Sequence, residues 1–350
     1  MPPQLQGYFC ATPRWLNWFA CRGAMLRFRN LGAQHQRRMS FLSDLRNSER
    51  LSQLLTVAGA LVGFFLLAWL LLSSVVLYRV ISPPAGGGQL TPESLLGHPS
   101  VVSFATPGGT AEGWFFPGRS TAPTVILGHG YLSQREEMLT LVTALQDHQY
   151  NVFVFDFSGH GQNDRLTTLG YRETKELLAA VGTIAARGDV DRTRFGVWGT
   201  NLGAYAALSA AASEPRIRAV VADSLYDDPM DLLNMYVESS GLNVLPLTPT
   251  LCRWGFRLMN FSDRNTLPLS QRMARLAGVP KLFIQANDNR PLADLTGRIY
   301  TSATEPRKQI VVPKSNYALM TNNEKRNYEN EVVQFFLQYL PPAAVAVPPR

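Results

Sequence analysis

Phe195–Leu208 reads FGVWGTNLGAYAAL, and the order of residue types in it describes a strand, a tight turn and a helix. FGVW is a short apolar run of the kind a fully buried strand needs, and LGAYAAL has the small, apolar character of a buried helix. Between them stand Gly199 and Gly203, two residues either side of Asn201. Glycine at both positions removes every side-chain atom where strand and helix must lie against each other, so the turn closes tightly and presents one side chain, that of Asn201.

Outward from this turn the pattern alternates. Short apolar runs at Val101–Phe104, Trp114–Phe116, Thr124–Leu127, Val152–Phe155, Phe195–Trp198, Ala219–Asp223, Lys281–Gln285 and Gln309–Val312 read as strands. From Thr124 onward, stretches with helical periodicity separate most of them: Glu136–His148, Arg172–Arg187, Leu202–Ser213 and Glu324–Leu340. Strand–helix alternation with nearly continuous apolar strands predicts an α/β domain over 100–340, with a mostly parallel sheet covered on both faces. The first two runs have no helix between them and are expected as an antiparallel edge. Residues 225–277 hold helical pieces, Met230–Glu238 and Leu251–Asn260, but no strand. They are expected as a small helical cap above the edge of the sheet where ligands of such folds bind.

Before the domain, Leu54–Tyr78 carries no charged residue. Its 25 residues exceed the roughly 20 that a helix needs to cross a bilayer core, which predicts a retained single-pass transmembrane helix over 54–78. The run is longer than the apolar part of a cleavable signal, and no small-x-small site follows it cleanly. The basic tail, 1–53, holds eight arginines against Asp44 and Glu49, a balance of +6 out of the chain's +7. After Arg79 the next basic residue is Arg119. The asymmetry predicts a cytoplasmic N-terminus and an extracytoplasmic domain, periplasmic in a bacterium. It also removes the hint of nucleic-acid binding, because the remaining chain is close to neutral. The tail is apolar and aromatic near its start, and Met1, Met25 and Met39 are alternative starts. Residues 79–99, with SPPAGGG at Ser82–Gly88, read as a Pro/Gly linker, and 341–350 as a disordered tail. Cys10, Cys21 and Cys252 form neither a disulfide framework nor a metal-ligand spacing, and no metal or cofactor is expected.

Two more segments join the first motif. ILGHGYLSQREE (Ile126–Glu137) ends a strand in His-Gly, and VFVFDFSGHGQND (Val152–Asp164) ends the next in a glycine-rich loop. With the frame around Asn201, and with GYRETKELLAAV, RGDVD and AVVADS, the stretch from about Val101 to Leu340 resembles the α/β-hydrolase superfamily, in its serine hydrolase and peptidase-like branch. The resemblance implies an oxyanion hole from the backbone N–H groups of Tyr131 and Leu202. It also implies pocket loops carrying His129, Gly130, Asp156, His160, Gly199 and Gly203.

The same resemblance puts the catalytic triad in doubt. Asn201 stands where the family has its nucleophilic serine, and a carboxamide has no hydroxyl for a base to activate. IQANDNRPL (Ile284–Leu292) puts Asn289 at the acid position, or Asp288 if the register slips by one. VVPKSNYALM (Val311–Met320) puts Tyr317 where the histidine belongs, or Asn316 after a similar slip. No histidine follows His160, so the usual general base is absent in any register. Ser133 and Ser158 lie on nearby loops without a nucleophile frame. The expected function is therefore a membrane-anchored pseudoenzyme of hydrolase fold, inactive as a serine hydrolase. It would bind a partner or a small ester, acyl or peptide-like ligand. The alternatives are an active esterase or peptidase-like hydrolase with a non-standard site around Asn201, and a structural envelope protein that acts through its anchor.

Overall fold

The computed structural model describes residues 49–84, 99–241 and 247–342. The basic tail up to 48, the Pro/Gly stretch 85–98 and the end of the chain from 343 lie outside the described residues. The chain divides into two compact units, Met1–Trp69 and Leu70–Arg350.

The first described element is helix α1, Glu49–Ile81. Within the first unit its apolar side chains face outward: Leu54, Phe64 and Leu67 are each more than half exposed. The helix continues past the expected end of the span at Tyr78, and its last turns belong to the second unit. There Ser73, Val76, Leu77, Val80 and Ile81 are buried, a stripe at helical spacing that faces protein. The Tyr131 hydroxyl donates to the Val80 carbonyl at 2.7 Å, and the Thr167 amide donates to that of Ile81 at 2.8 Å. Arg79–Ile81, expected as the start of a linker, is thus the docked end of a helix.

The second unit is an eight-stranded sheet in the order β1-β2-β4-β3-β5-β6-β7-β8. Its first elements are β1 (Ser100–Thr106), β2 (Gly109–Phe116), β3 (Thr124–Gly128), α2 (Leu139–Asp147), β4 (Asn151–Phe155), α3 (Tyr171–Ala185), β5 (Phe195–Thr200), α4 (Leu202–Ala211) and β6 (Ile217–Asp223). After the cap follow β7 (Lys281–Ala286), α8 (Arg290–Ser302), β8 (Arg307–Val312) and α9 (Asn322–Tyr339). β1 and β2 form the antiparallel edge, and β3 through β8 run parallel. Side chains alternate between faces as the pleat requires. Phe153 and Phe155 pack toward α3, α4 and the end of α1, while Val152 and Val154 pack toward α2 and α9. The crossover helices need burial on one side only, which gives the two-faced cover.

The cap lies between β6 and β7: α5 (Pro229–Ser239), α6 (Thr248–Met259) and the short α7 (Leu269–Arg272). Asp228 starts α5 by accepting from the Met230 amide at 2.8 Å, with Pro229 in the first turn. One helix escaped the sequence reading. α8, RPLADLTGRIYTS, is capped by Asn289, whose side chain accepts from the Leu292 amide. Only Leu292, Ala293, Thr296 and Ile299 are buried, so its apolar stripe is narrow and partly polar.

The strand–helix contact at the turn is backbone on backbone. A Cβ on Gly203 would stand 2.1 Å from the Gly128 carbonyl oxygen, and one on Gly199 would stand 2.3 Å from Gly203. Gly203→Ala should therefore cost about 2 kcal/mol or more in denaturant unfolding, as overpacking of a rigid contact does. Gly182→Ala, where a Cβ on α3 meets nothing within 4 Å, should instead gain about 0.5–1 kcal/mol. Equal effects from the two would show that the close approach is not as described. The docked end of α1 gives a second prediction. Ile81→Ala, at a side chain 3% exposed, should lower stability by about 2–4 kcal/mol, and Val75→Ala, at 51%, should leave it nearly unchanged. Denaturation of the detergent-solubilised chain reads both.

Candidate functional site

The turn between β5 and α4 holds Asn201 at φ 52°, ψ −105°. Asparagine tolerates positive φ, but this ψ lies far from the left-handed helical well at roughly +47°, so the turn carries strain of about 1–3 kcal/mol. The surroundings hold it there. The Asn201 amide donates to the Asp223 carbonyl at 2.8 Å, the Tyr205 amide to the Asn201 carbonyl at 3.1 Å, and the Gly203 amide to the His129 carbonyl at 3.1 Å.

Asn201 lies on the wall of a cavity of about 140 Å³. Its lining comes from four places: His129–Tyr131 and Ser133 after β3, Thr200–Asn201 at the turn, Asn289 after β7, and Ser315–Tyr317 after β8. Glu137, Trp198, Ser224 and Tyr236 of the cap complete much of the wall. The Tyr236 ring lies 4.3 Å from that of Tyr131, so cap and loop meet over the cavity. The Asn201 Oδ1 is buried and has no hydrogen-bond partner among the described residues. Leaving such a group unpaired costs about 1–3 kcal/mol. The backbone amides of Tyr131 and Leu202 make no backbone hydrogen bond among the described residues, and Leu202 keeps its side chain wholly buried.

At the other two positions the side chains are already engaged. Asn289 caps α8 and lines the cavity, whereas Asp288 turns aside and accepts from the Ser315 amide at 2.7 Å. Asn316 accepts from the Ala318 amide at 2.9 Å. The Tyr317 hydroxyl shares a hydrogen bond with Thr140 at 2.6 Å and donates to Glu329, so it reaches away from Asn201 toward α2 and α9. Burial, with the Glu329 contact, raises its pKa well above the usual range.

His129 lines the cavity with both ring nitrogens engaged, whereas His160 is not among the lining residues and its buried Nε2 has no hydrogen-bond partner among the described residues. His129 is wholly buried; its Nδ1 bonds the Gly130 carbonyl at 2.8 Å and its Nε2 accepts from the Phe157 amide at 2.9 Å. Nδ1–H donates to a carbonyl and Nε2 accepts from an amide, one donor and one acceptor, which fixes a neutral ring. Burial pushes it down to about 4, against a partial upward pull from the Gly130 carbonyl. His160 packs against it, tilted by 58° with ring centroids 5.1 Å apart, donates to the Ser158 carbonyl, and is also pushed down to about 4, by burial and then by His129. His160 and Asp156 lie behind the cavity wall. Asp156 accepts from the Arg135 and Gln162 amides and lines a separate cavity of about 270 Å³ with Arg135 and Arg165. Gly199 and Gly203 lie beneath the wall as spacers.

Sequence reasoning missed the polar chain behind the site. Trp198 Nε1 donates to the Tyr328 hydroxyl at 2.9 Å, which donates to Asp223 Oδ2 at 2.7 Å, and the Ser224 hydroxyl donates to Oδ1 at 2.8 Å. Burial raises Asp223 to about 7, with the Tyr328 and Ser224 bonds pulling the other way. The acid closing AVVAD was visible as a buried charge at a strand end. Its partner Tyr328, 105 positions away, was not.

A family model described as the alpha/beta hydrolase fold matches residues 123–243. The chain has the α/β-hydrolase fold. Uncharacterised protein YfhR of Escherichia coli K12 is 25% identical over 253 residues, covering 69% of this chain and 82% of YfhR. Uncharacterised protein Rv2307c of Mycobacterium tuberculosis is 26% identical over 239 residues, covering 67% of this chain and 78% of that protein. Among solved structures, the Pyrococcus furiosus esterase Pf2001 aligns with TM-score 0.58 at 23% identity, over 75% of this chain and 99% of the esterase. The sheet order, the strained turn and the cap between β6 and β7 are the features through which the hydrolase fold builds its cavity here.

The buried histidines make a pH prediction. An unfolded chain protonates them as pH falls through about 6.5, while the folded chain refuses the proton until about 4, so their contribution to stability is lost as pH falls through that window. Asp223 acts oppositely. Its folded carboxyl keeps a proton to about 7, so its contribution falls as pH rises from about 4 to about 7. In NMR titration, His129 and His160 should both remain neutral at pH 5.5. A ring that protonates near 6.5 would contradict the packing described.

Proposed function

We propose that this chain is a membrane-anchored pseudoenzyme of hydrolase fold that binds a small carbonyl-bearing ligand, an ester, acyl or peptide-like molecule, without turning it over. The observation that carries the reading is the Asn201 Oδ1, unpaired among the described residues, in a cavity whose lining histidine, His129, has both ring nitrogens engaged. A strained turn and an unsatisfied buried amide together cost a few kcal/mol, which a ligand that hydrogen-bonds the carboxamide would offset. The carboxamide and the free amides of Tyr131 and Leu202 would give such a ligand both donors and acceptors, the binding half of an oxyanion site without its nucleophile. The triad works as a unit, and loss of nucleophile and base removes most of its rate.

Leu51–Ile81 supports the anchor: an 18-residue window of the stretch reaches mean hydropathy 2.5, and its apolar side chains face outward up to Leu71. A core helix of a soluble protein would bury these side chains. The arginines of the tail favour a cytoplasmic N-terminus with the hydrolase domain on the far side.

A second reading rests on a specific contact. Ser133 donates to Glu137 at 2.8 Å on the cavity wall, and Ser224 donates to Asp223, so two serines touch carboxylates there. One assay separates the readings: hydrolysis of activated short- and medium-chain esters and aminoacyl amides by wild type, Asn201→Ala, Asn201→Ser, Ser133→Ala and Ser224→Ala. All five should stay at the buffer rate, including Asn201→Ser, since a restored hydroxyl still lacks its base. Wild-type turnover that Asn201→Ala abolishes would end the pseudoenzyme reading. Turnover abolished by Ser133→Ala or Ser224→Ala would establish the second reading in its place.

A further inference from the structure

Cap helix α6 is amphipathic in an unusual place. Thr248, Cys252 and Phe256 face inward, while Leu247, Trp254, Leu258 and Phe261 follow one another at spacings of seven, four and three and stand 45–77% exposed. Such a stripe on a soluble protein normally meets a partner. A cavity of about 620 Å³ opens among Trp254, Leu258 and Phe261, so their surface is not closed off by the domain itself.

We propose that this stripe rests on the surface of the bilayer that α1 crosses, so that the cap is seated in the lipid interface. The proposal rests on the anchor reading above. The apolar stretch Leu51–Ile81 has 31 residues, and a bilayer core takes roughly 20 of them. The count runs out near Leu70, and the buried stripe on α1 begins at Ser73. α6 packs on that point: the Cys252 thiol donates to the Ser73 carbonyl at 3.4 Å, and a Cβ on Gly255 would stand 2.7 Å from Leu77. The helix bearing the stripe is therefore fixed to residues one or two turns beyond the end of the span. No linker intervenes to lift it clear.

The side chains suit that depth. Trp254 and Phe261 are rings of the kind that favour the headgroup boundary, and Leu258 adds purely apolar area. Arg257 and Arg264 border the same cavity, and guanidinium groups there can pair with lipid phosphates. A stripe of aromatic and leucine residues edged by arginines is the composition of helices that lie in an interface plane.

Bromolipid quenching of tryptophan fluorescence tests this on the full chain in phosphatidylcholine vesicles, with bromine placed near the headgroup end of the acyl chain. Wild type, Trp254→Phe, Trp69→Phe and Leu258→Asp are compared. Trp69, in α1, reports the anchor, and Trp254 reports the cap. The expected result is that Trp254→Phe and Trp69→Phe each lose a share of the quenched emission, and that Leu258→Asp loses the Trp254 share alone. If Trp69 is quenched and Trp254 is not, the cap stands clear of the lipid; the docking proposal is then overturned with the anchor intact, and the stripe belongs to a protein partner. If neither is quenched, the anchor reading fails and the proposal fails with it.

Discussion

The contact between Gly203 and the Gly128 carbonyl is where this fold has least freedom. Strand β3, strand β5 and helix α4 meet there backbone to backbone, with room for no side-chain atom on Gly199 or Gly203. That approach sets the height at which α4 begins, and so forces Asn201 into its strained conformation at the strand's end. It also brings the loop after β3 over the turn, which places Gly130 and Tyr131 on the cavity wall beside Asn201. The cavity is thus a consequence of how the sheet and α4 pack, and it persists whatever side chain stands at 201. Retention of the glycines alone says nothing about catalysis.

What separates the three altered positions is how their polar atoms are spent. Asn289 and Asn316 each cap a helical turn, and Tyr317 ties α2 to α9 through Thr140 and Glu329. These are structural uses, and replacing any of these side chains would carry a cost. A histidine at 317 would leave the Thr140 hydroxyl and the Glu329 carboxyl without that shared partner. Asn201 differs. Its backbone is fully bonded, yet its side-chain oxygen has no partner among the described residues although it is buried. A position freed of all function would be expected to shed that cost through a smaller or apolar side chain. This asymmetry is what the proposed ligand contact at Asn201 rests on.

The fold was legible because its signals are local. Eight apolar runs and their glycine punctuation fix the strands, and β3 through β8 fall where period and turn chemistry put them. α8 was missed for a local reason too: Gly297 and several polar residues dilute its stripe, although Asn289 followed by Pro291 is a recognisable helix start. The site was legible only in part. The position of Asn201 follows from two glycines, but the choice between Asp288 and Asn289 is made by packing. The side chain that turns toward the cavity is the one that caps α8, and Asp288 is drawn off to the Ser315 amide. The Trp198–Tyr328–Asp223 chain joins residues too far apart in sequence for any pattern to pair them.

The end of α1 shows a limit of a different kind. Hydropathy marks Leu54–Tyr78 as one uniform stretch, because lipid and a protein core are both apolar surroundings and select the same residues. Nothing in the letters says where one gives way to the other. Packing does: from Ser73 onward every third or fourth residue is buried in protein, while Val75 and Tyr78 on the other side of the helix stay exposed. The apolar helix, read as ending at Tyr78, runs on to Ile81, and the carbonyls of Val80 and Ile81 accept from Tyr131 and Thr167. Tyr131 thus joins the end of α1 to the cavity: it lines the wall, and its hydroxyl donates to the Val80 carbonyl.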